Sequence, residues 1–275
     1  MINSNYRNHG TFRRVPIVET LPENVIYGIH AVEELVKNRI QEIDRIFFED
    51  TKHSAALFEV LKICRKNRLS YQLVPTQRLD ALAETAKHQG VVAICSAKAF
   101  ATVEFLLDAL KKSSTPPLLF VPASIEDPRN LGSLIRSCVA FGVNGLLLER
   151  KNTALLGSTV AKASAGMMEH MTIVKPKNLE GLIMDLKSGG YAVVGASQDA
   201  SLLPEKTDLT GPTIIVTGGE HKDIPPYLLR LCTHIVGIPI QPVAQSLNVS
   251  IAGSIMLYEC CRQRGWKFAV EGAPV

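Results

Sequence analysis

Three segments in the second half of the chain carry side chains that can bind a ligand and polarise a hydroxyl group. Each follows a short apolar run and mixes glycine or proline with amide, hydroxyl, carboxylate or guanidinium groups. The residues concerned are Asn130, Gly132, Arg136, Gly218, Gly219, Glu220, Ser246 and Asn248. Such groups stabilise developing charge through preorganised dipoles and need no covalent intermediate. The sequence therefore predicts a site that holds a cofactor against glycine backbone and orients a hydroxyl.

Sequence motifs of other catalytic classes are missing. There is no G-x-S-x-G turn for a serine nucleophile and no H-E-x-x-H pair for zinc. Neither a G-x-x-x-x-G-K-[ST] phosphate loop nor a G-x-G-x-x-G dinucleotide turn occurs. The six cysteines stand among apolar residues and form no C-x-x-C pair. We therefore expect buried thiols, a reducing cytoplasmic compartment and no metal site.

Arg136 stands between two small residues at helical spacing. The pattern predicts an amphipathic helix that begins at Asn130, its N-cap, and ends before Gly142. Gly132 and Ala140 lie four residues on either side of Arg136, which lets another backbone or a ligand approach the guanidinium. An arginine on the solvated face of a helix is the alternative interpretation.

The elements that must position these residues are strands and helices in alternation. The predicted strands are residues 118–121, 145–148, 172–175, 192–196, 213–217 and 234–238. Short, fully apolar strands separated by helices are typical of a parallel sheet covered on both faces. Ligands bind such sheets beyond the carboxyl ends of the strands, which is where the three polar segments fall. A helix with Asn248 as its cap is predicted to follow the third segment.

The chain is predicted to have four parts. They are a polar arm (1–24) containing Arg7, Arg13 and Arg14, a small α/β unit (25–98), a linker (99–117) and a larger domain (118–275). The arm is alternatively an ordinary ragged terminus. The linker contains one helical pattern and the hinge-like tract Lys111–Pro117. Within the small unit, residues 54–68 predict an amphipathic helix whose buried face includes Phe58.

The charge balance permits a polyanionic partner and does not require one. The net charge is +4 over 275 residues, with an isoelectric point near 8.7. Basic residues cluster at the end of the helix predicted at 54–68, namely Lys62, Arg65, Lys66 and Arg68. They either bind phosphates or face water at the helix end. No 18-residue apolar run occurs, so no membrane span is expected.

In order and spacing, the three polar segments resemble the three motifs of the SpoU/TrmH family, in the SPOUT superfamily of RNA methyltransferases. The motif residues are Asn130, Gly132, Arg136, Phe141 and Gly142, then Gly218 and Glu220, then Ile238, Pro239, Ser246, Leu247, Asn248, Val249 and Ser250. Residues 163–166 also resemble the family. In the small unit, Tyr27–Val32 and His88–Ala93 resemble the substrate-binding domain of the subgroup that methylates a guanosine 2′-hydroxyl in bacterial large-subunit rRNA.

The resemblance implies a fold and an activity. The fold is α/β, with a SPOUT-type parallel sheet and a C-terminal deep trefoil knot, plus a small N-terminal α/β RNA-binding domain resembling certain ribosomal proteins. The activity is S-adenosylmethionine-dependent methyl transfer to a ribose 2′-hydroxyl in RNA, with large-subunit rRNA as the expected substrate. The family also implies a homodimer in which Arg136 of one subunit reaches the cofactor pocket of the other.

Site roles follow from the resemblance by position. The implied catalytic residues are Asn130, Arg136, Glu220, Ser246 and Asn248, and the implied cofactor-binding residues are Thr217, Gly218, Gly219, Ile238 and Leu247. Expected RNA contacts are Tyr27, His30, His88 and Gln89, together with the basic residues listed above. Because the pKa of arginine exceeds about 12, we expect Arg136 to act through its charge rather than as a base.

Two residues depart from the family pattern. Asp223 and Pro242 stand where the family usually has glycine, in segments expected to hold the cofactor. They leave open the alternative of a catalytically silent RNA-binding or ribosome-assembly factor on the same scaffold. A tRNA ribose methyltransferase is a further alternative, which the N-terminal unit disfavours.

Overall fold

The computed structural model describes residues 25–51, 54–96, 98–219 and 223–266. The predicted arm (1–24), with its three arginines, and the predicted catalytic residue Glu220 lie outside these ranges. No helix within the described ranges is long and apolar enough to cross a membrane.

The N-terminal unit is a four-stranded sheet with helices packed against it. Its elements are β1 (Val25–Tyr27), α1 (Ile29–Asn38), β2 (Ile43–Glu49), α2 (Ala55–Lys66), β3 (Tyr71–Val74), α3 (Thr76–Ala83) and β4 (Val91–Cys95). The strand order is β1-β4-β2-β3, with β2 parallel to β3 and antiparallel to β4. The predicted small α/β architecture of this part of the chain is confirmed.

The buried face of α2 differs from the prediction at one position. Leu57, Val60 and Cys64 are buried, whereas Phe58 is 58% exposed. Successive helical residues are turned by about 100°, so Leu57 and Phe58 cannot both point at the sheet. The prediction for Phe58 is therefore wrong, and Val60 takes its place in the core.

The second unit is a six-stranded parallel sheet between two layers of helices. Its strands are β5 (Leu118–Pro122), β6 (Gly145–Leu147), β7 (Ile173–Val174), β8 (Ala192–Ala196), β9 (Thr213–Thr217) and β10 (His234–Val236). Its helices are α4 (Val103–Lys111), α5 (Pro128–Ala140), α6 (Ser158–Ala163), α7 (Leu179–Ser188), α8 (Pro226–Leu229) and α9 (Val249–Gln263). The order is β10-β8-β9-β5-β6-β7, and the adjacent pairs are parallel.

Alternate residues of each strand feed two separate cores. On β5, Leu118 and Phe120 pack with α5 and α9, while Leu119 and Val121 pack with α4, α7 and α8. A strand buried on both faces needs apolar side chains at every position, which explains the unbroken apolar runs in the sequence. The predicted parallel sheet is confirmed, with strands ending one or two residues earlier at β6, β7 and β10 than expected.

Part of the predicted linker belongs to the second unit. Residues 103–111 form α4, whose Leu106 and Leu110 are buried in the core under β5. Ala101 also forms an isolated parallel bridge with Val174. The stretch 99–117 is therefore not a free connection along its whole length, because its helix is anchored by apolar burial.

A buried ion pair joins the two units. Lys175 Nζ donates to Asp44 Oδ1, and both side chains are almost fully buried. The other carboxylate oxygen of Asp44 accepts from the Leu156 backbone N–H at 2.9 Å. Nearby, Lys98 Nζ donates to the Met168 carbonyl at 2.8 Å. These contacts fix the orientation of the small unit on the large one.

The cysteines behave as core residues. All six are free thiols, and Cys232 alone among them is not fully buried. Burial raises the pKa of Cys64 to about 12 and that of Cys260 to about 11. At neutral pH these thiols stay protonated and unreactive, as predicted from their apolar neighbours.

Candidate active site

A cavity of about 290 Å³ lies at the carboxyl ends of β8, β9 and β10. Its lining includes Thr217, Gly218, Gly219, Ile238, Ser246 and Leu247, all of them predicted site residues, together with Ser197, Gln198, Asp223 and Ile240. The five predicted cofactor-binding residues thus meet in one place. Neighbouring parallel strands end at the same edge of a sheet, so loops far apart in sequence converge there.

The second polar segment forms the floor of this cavity. Thr217 ends β9 and is buried, and its Oγ1 has no hydrogen-bond partner among the residues that the structure describes. At Gly219, a Cβ atom would lie 2.3 Å from the Ser124 carbonyl oxygen, so only glycine fits against the neighbouring loop.

Residues that the sequence analysis missed support this floor. The Ser124 N–H donates to Glu149 Oε2 at 2.6 Å, and Tyr227 OH donates to Glu149 Oε1. Burial, together with this bond to Glu149, raises the pKa of Tyr227 above its ordinary value. Ser124 and Glu149 each stand two residues beyond the end of a strand. Reading every strand end, rather than only those with glycine, would have found them.

The third polar segment covers the other side of the cavity. Residues 242–244 form a short 3-10 helix, and Gln245 has a positive φ of 54°. The backbone then reverses, so that Ser246 and Leu247 line the cavity before α9 begins. The loop conformation thus requires Gln245 to adopt left-handed backbone angles, which are more usual for glycine. The sequence therefore gives no sign of this turn.

Asn130 and Asn248 meet where α5 and α9 begin. Asn248 Nδ2 donates to Asn130 Oδ1 at 3.0 Å. Asn248 Oδ1 accepts from the Ser250 N–H at 2.9 Å, which confirms Asn248 as the cap of α9. The prediction that Asn130 caps α5 is wrong. Asp127 is the cap, accepting from the Arg129 N–H at 2.7 Å, because Pro128 is suited to the first helical position.

Arg136 lies on α5, about 9 Å along the helix axis from Asn130. Its side chain is exposed and makes no hydrogen bond or ion pair within the described residues. Gly132 faces inward: a Cβ atom there would lie 2.5 Å from the Ala163 Cβ of α6. The close approach predicted at Gly132 is therefore made by α6 of the same chain, and Arg136 remains open to a ligand.

The predicted RNA contacts of the small unit divide into exposed and structural residues. Tyr27 and His30 are exposed. Gln89 is also exposed, but its Oε1 accepts from the Ile29 N–H at 2.9 Å, at the start of α1. His88 is 2% exposed, lies 3.2 Å from Asp80 Oδ1 through Nε2, and accepts from the Gly90 N–H. A buried ring with both nitrogens engaged cannot stack on a base, so the prediction for His88 is wrong.

The basic residues at the end of α2 are exposed. Lys62, Arg65, Lys66 and Arg68 all face solvent. Lys62 lies 3.7 Å from Glu59, and Arg65 Nε donates to Tyr71 OH at 3.3 Å. Their exposure is compatible with phosphate contacts and with a solvated helix end alike.

The cavity at the ends of β8, β9 and β10 suits S-adenosylmethionine, the cofactor that the resemblance implies. Its volume is close to the lower end, about 300 Å³, of ordinary small-molecule sites. Ile238, Ile240 and Leu247 offer apolar surface for a flat base, whereas Ser197 and Asp223 offer polar groups. Ser197 Oγ donates to Asp223 Oδ2 at 2.8 Å, so Asp223 is held at the side of the cavity and does not close it. Within the described ranges no group of His, Cys, Asp and Glu could hold a metal ion.

Both units of the chain match known protein families. Residues 117–258 match the SpoU rRNA Methylase family, and residues 25–101 match the domain described as RNA 2′-O ribose methyltransferase substrate binding. The chain is 32% identical over 242 residues to the 23S rRNA (guanosine-2′-O-)-methyltransferase RlmB of Pseudomonas syringae pv. tomato, covering 88% of this chain and 96% of that protein. It is also 32% identical over 243 residues to RlmB of Shewanella oneidensis, covering 88% and 98%.

A solved structure shares the fold. The SpoU methyltransferase AviRb from Streptomyces viridochromogenes, in complex with AdoMet, aligns with a TM-score of 0.54 at 22% identity, covering 88% of this chain and 90% of that one. The family match covers more than half of the chain. The alignments with the two RlmB proteins cover 88% of this chain and at least 96% of each relative. The chain therefore belongs to the SpoU rRNA methylase family, whose members are S-adenosylmethionine-dependent RNA 2′-O-ribose methyltransferases.

Proposed function

We propose that this chain methylates a ribose 2′-hydroxyl of large-subunit rRNA, as a cytoplasmic homodimer. The observation that carries the proposal is the cavity, where segments separated in sequence meet close to the contact between Asn130 and Asn248. The RNA class is supported by the relatives named for 23S rRNA methylation, which align with this chain over nearly their whole lengths. The free, buried thiols suit a reducing compartment.

The cofactor would be held by the backbone and side chains of the cavity. Thr217, Gly218 and Gly219 form the floor of the cavity, while Ile238 and Leu247 line its other side. S-adenosylmethionine supplies an electrophilic methyl group when it is bound. Because the sequence has no nucleophile motif such as G-x-S-x-G, we expect acceleration to come mainly from holding the ribose hydroxyl in line.

Arg136 and the paired asparagines would act on the RNA side. The exposed guanidinium of Arg136 offers bidentate donors to a phosphate or a developing alkoxide. Asn130, fixed by Asn248, presents an amide at the start of α5. Ser246 stands at the cavity margin, and Glu220 directly follows Gly219 in sequence. These five residues are the catalytic set that we propose.

An exposed apolar stripe on α9 supports the homodimer. Ile251, Ile255 and Tyr258 follow helical spacing, and each is at least 37% exposed. The stripe lies beside α5, since Ser254 Oγ donates to Ser137 Oγ at 2.7 Å. Pairing through this face would place Arg136 against the partner subunit. In sedimentation velocity we expect the natural protein to be a dimer. We expect Ile255→Arg to be a monomer that transfers no methyl group. A variant that remains dimeric and active would contradict this interface.

The trefoil knot is part of the proposal. The connection between β8 and β9 contacts both β10 and the end of α9: the Gly237 N–H donates to the Leu202 carbonyl at 2.8 Å, and Gln263 Nε2 donates to the Thr207 carbonyl at 3.1 Å. If the C-terminal part of the chain is threaded through the loop between β8 and β9, it would make contacts of this kind. An experimental trace of residues 192–263 tests it, and an unthreaded path would refute the knot.

Transfer of a labelled methyl group to unmodified 23S rRNA tests the function. We expect transfer by the natural protein and its loss in Asn130→Ala and Arg136→Ala, with S-adenosylmethionine binding retained in calorimetry. RNA binding without any cofactor binding would instead establish the silent RNA-binding factor. Methylation of tRNA but not rRNA would reassign the substrate.

A further inference from the structure

A cleft larger than the cofactor cavity lies between the two units. It measures about 960 Å³ and shares no lining residue with that cavity. The small unit contributes Arg45 from β2, Tyr71 from β3 and Arg78 from α3. The large unit contributes Arg129 from α5 and Lys151, which follows β6.

The cleft carries more positive than negative charge. Its four cations, Arg45, Arg78, Arg129 and Lys151, face two carboxylates, Glu126 and Asp127. Asp127 is occupied at the start of α5, where it accepts from the Arg129 N–H. Arg78, Arg129 and Lys151 are exposed, so their charges attract a polyanion from solution.

Arg45 lines the cleft, and the protein itself does not use all of its hydrogen-bond donors. A guanidinium has five N–H donors. Within the described residues, the guanidinium of Arg45 makes one hydrogen bond, from Nη2 to the Thr153 carbonyl at 3.3 Å, and its Nε is buried without a partner. A phosphate is the ligand whose paired oxygens match such a fork.

The cleft is preformed. The buried pair of Asp44 and Lys175 holds the units together, so the walls of the cleft do not have to be assembled by the ligand.

The cleft also leads towards the proposed catalytic residues. Pro128 and Arg129 line it, and the next residue is Asn130, which contacts Asn248. A chain lying in the cleft therefore passes the start of α5, beside the cofactor cavity.

We propose that this cleft binds a segment of the substrate RNA, with Arg45 and Lys151 on phosphates. The proposal rests on the proposed function for the class of polymer. It adds the surface on which that polymer lies and the residues that hold it.

Filter binding of an unmodified 23S rRNA transcript, over a range of salt concentrations, tests the surface. The variants are Lys151→Gln and the double variant Arg45→Gln/Lys151→Gln in the full chain. We expect the slope of log K against log salt to become shallower by about 0.7 for each phosphate contact removed. We expect affinity at low salt to fall about three- to tenfold per substitution, while S-adenosylmethionine binding stays unchanged.

Lys206→Gln is the matched control, because Lys206 is an exposed lysine that does not line the cleft. A double variant whose affinity and salt slope equal those of the control would overturn the proposal, as would a natural protein that does not bind the transcript. Cofactor binding is measured separately, so failure here is distinct from failure of the methyltransferase function. Lys151→Gln alone keeps the contact between Arg45 and Thr153, so its effect does not depend on disturbing the joint between the units.

Discussion

At the scale of single residues, Asn248 joins folding to chemistry. Its Oδ1 accepts from the N–H and from the hydroxyl of Ser250, in the first turn of α9. Its Nδ2 donates to Asn130 Oδ1 and so sets the direction of that amide. One side chain thus both caps a helix and orients a proposed catalytic group. A serine at this position could cap the helix but has no amide group to donate to Asn130.

Asn248→Ser and Asn248→Ala separate these two roles. Serine keeps a capping oxygen, whereas alanine removes it and should cost about 1 kcal/mol of stability. Both variants lose the contact with Asn130, so we expect methyl transfer to fall about a hundredfold in each. Urea unfolding and labelled-methyl transfer provide the two readouts. Full activity in the serine variant would mean that the contact has no catalytic role.

At the scale of elements, the site depends on how closely neighbouring strand ends approach. The loop after β9 touches the loop after β5, with Gly219 against the Ser124 carbonyl. Ser124 is in turn held by Glu149, beyond the end of β6. The cavity floor is therefore built by three adjacent strands, and its shape is sensitive to a single added carbon.

Gly219→Ala is expected to weaken cofactor binding. A Cβ atom 2.3 Å from a backbone oxygen must displace one of the two loops. Such overpacking costs about 1–3 kcal/mol, so calorimetry should show S-adenosylmethionine affinity reduced about tenfold or more. Gly211→Ala is the control, since nothing lies within 4 Å of its added carbon. Equal affinities for the two variants would be inconsistent with a cavity formed by this contact.

At the scale of the whole molecule, a buried ion pair holds the two units in register. Asp44 comes from the small unit and Lys175 from the large one, and the ring of Phe100 lies 5.2 Å from the Lys175 ammonium. Charges removed from water are costly unless they are paired. The pair therefore stabilises one arrangement of the units and disfavours others.

Asp44→Ala would leave the Lys175 ammonium buried and unpaired. We expect a loss of about 3–5 kcal/mol of stability in denaturant unfolding. Adding Lys175→Met should recover much of this loss, because the uncompensated charge is then gone. RNA affinity should fall with Asp44→Ala if the cleft between the units has to be preformed. A single variant as stable as the natural protein would show that the pair does not lock the units.

Much of the fold could be predicted, because both faces of the large sheet are buried. Unbroken apolar runs located its six strands, and helical spacing located α2 and α9. The predicted cap of α5, Asn130, is wrong because both Asn130 and Asp127 are good caps, and the preference of Pro128 for the first helical position decides for Asp127. The predicted RNA contact at His88 is wrong because burial depends on contacts distant in sequence, which local patterns do not reveal.

By itself, the sequence determined the parallel sheet, the cap at Asn248 and, through motifs that resemble the family, several of the loop residues that meet at the cavity. These follow from periodicity and from motifs, both of which are local in the chain. Only the tertiary structure decided that Asn130 meets Asn248, that Glu149 holds Ser124, and that Asp44 pairs with Lys175. The last pair is 131 residues apart, and no local pattern specifies a partner at that separation. Long-range packing selects it, because a buried charge must find its counterion wherever the fold brings one.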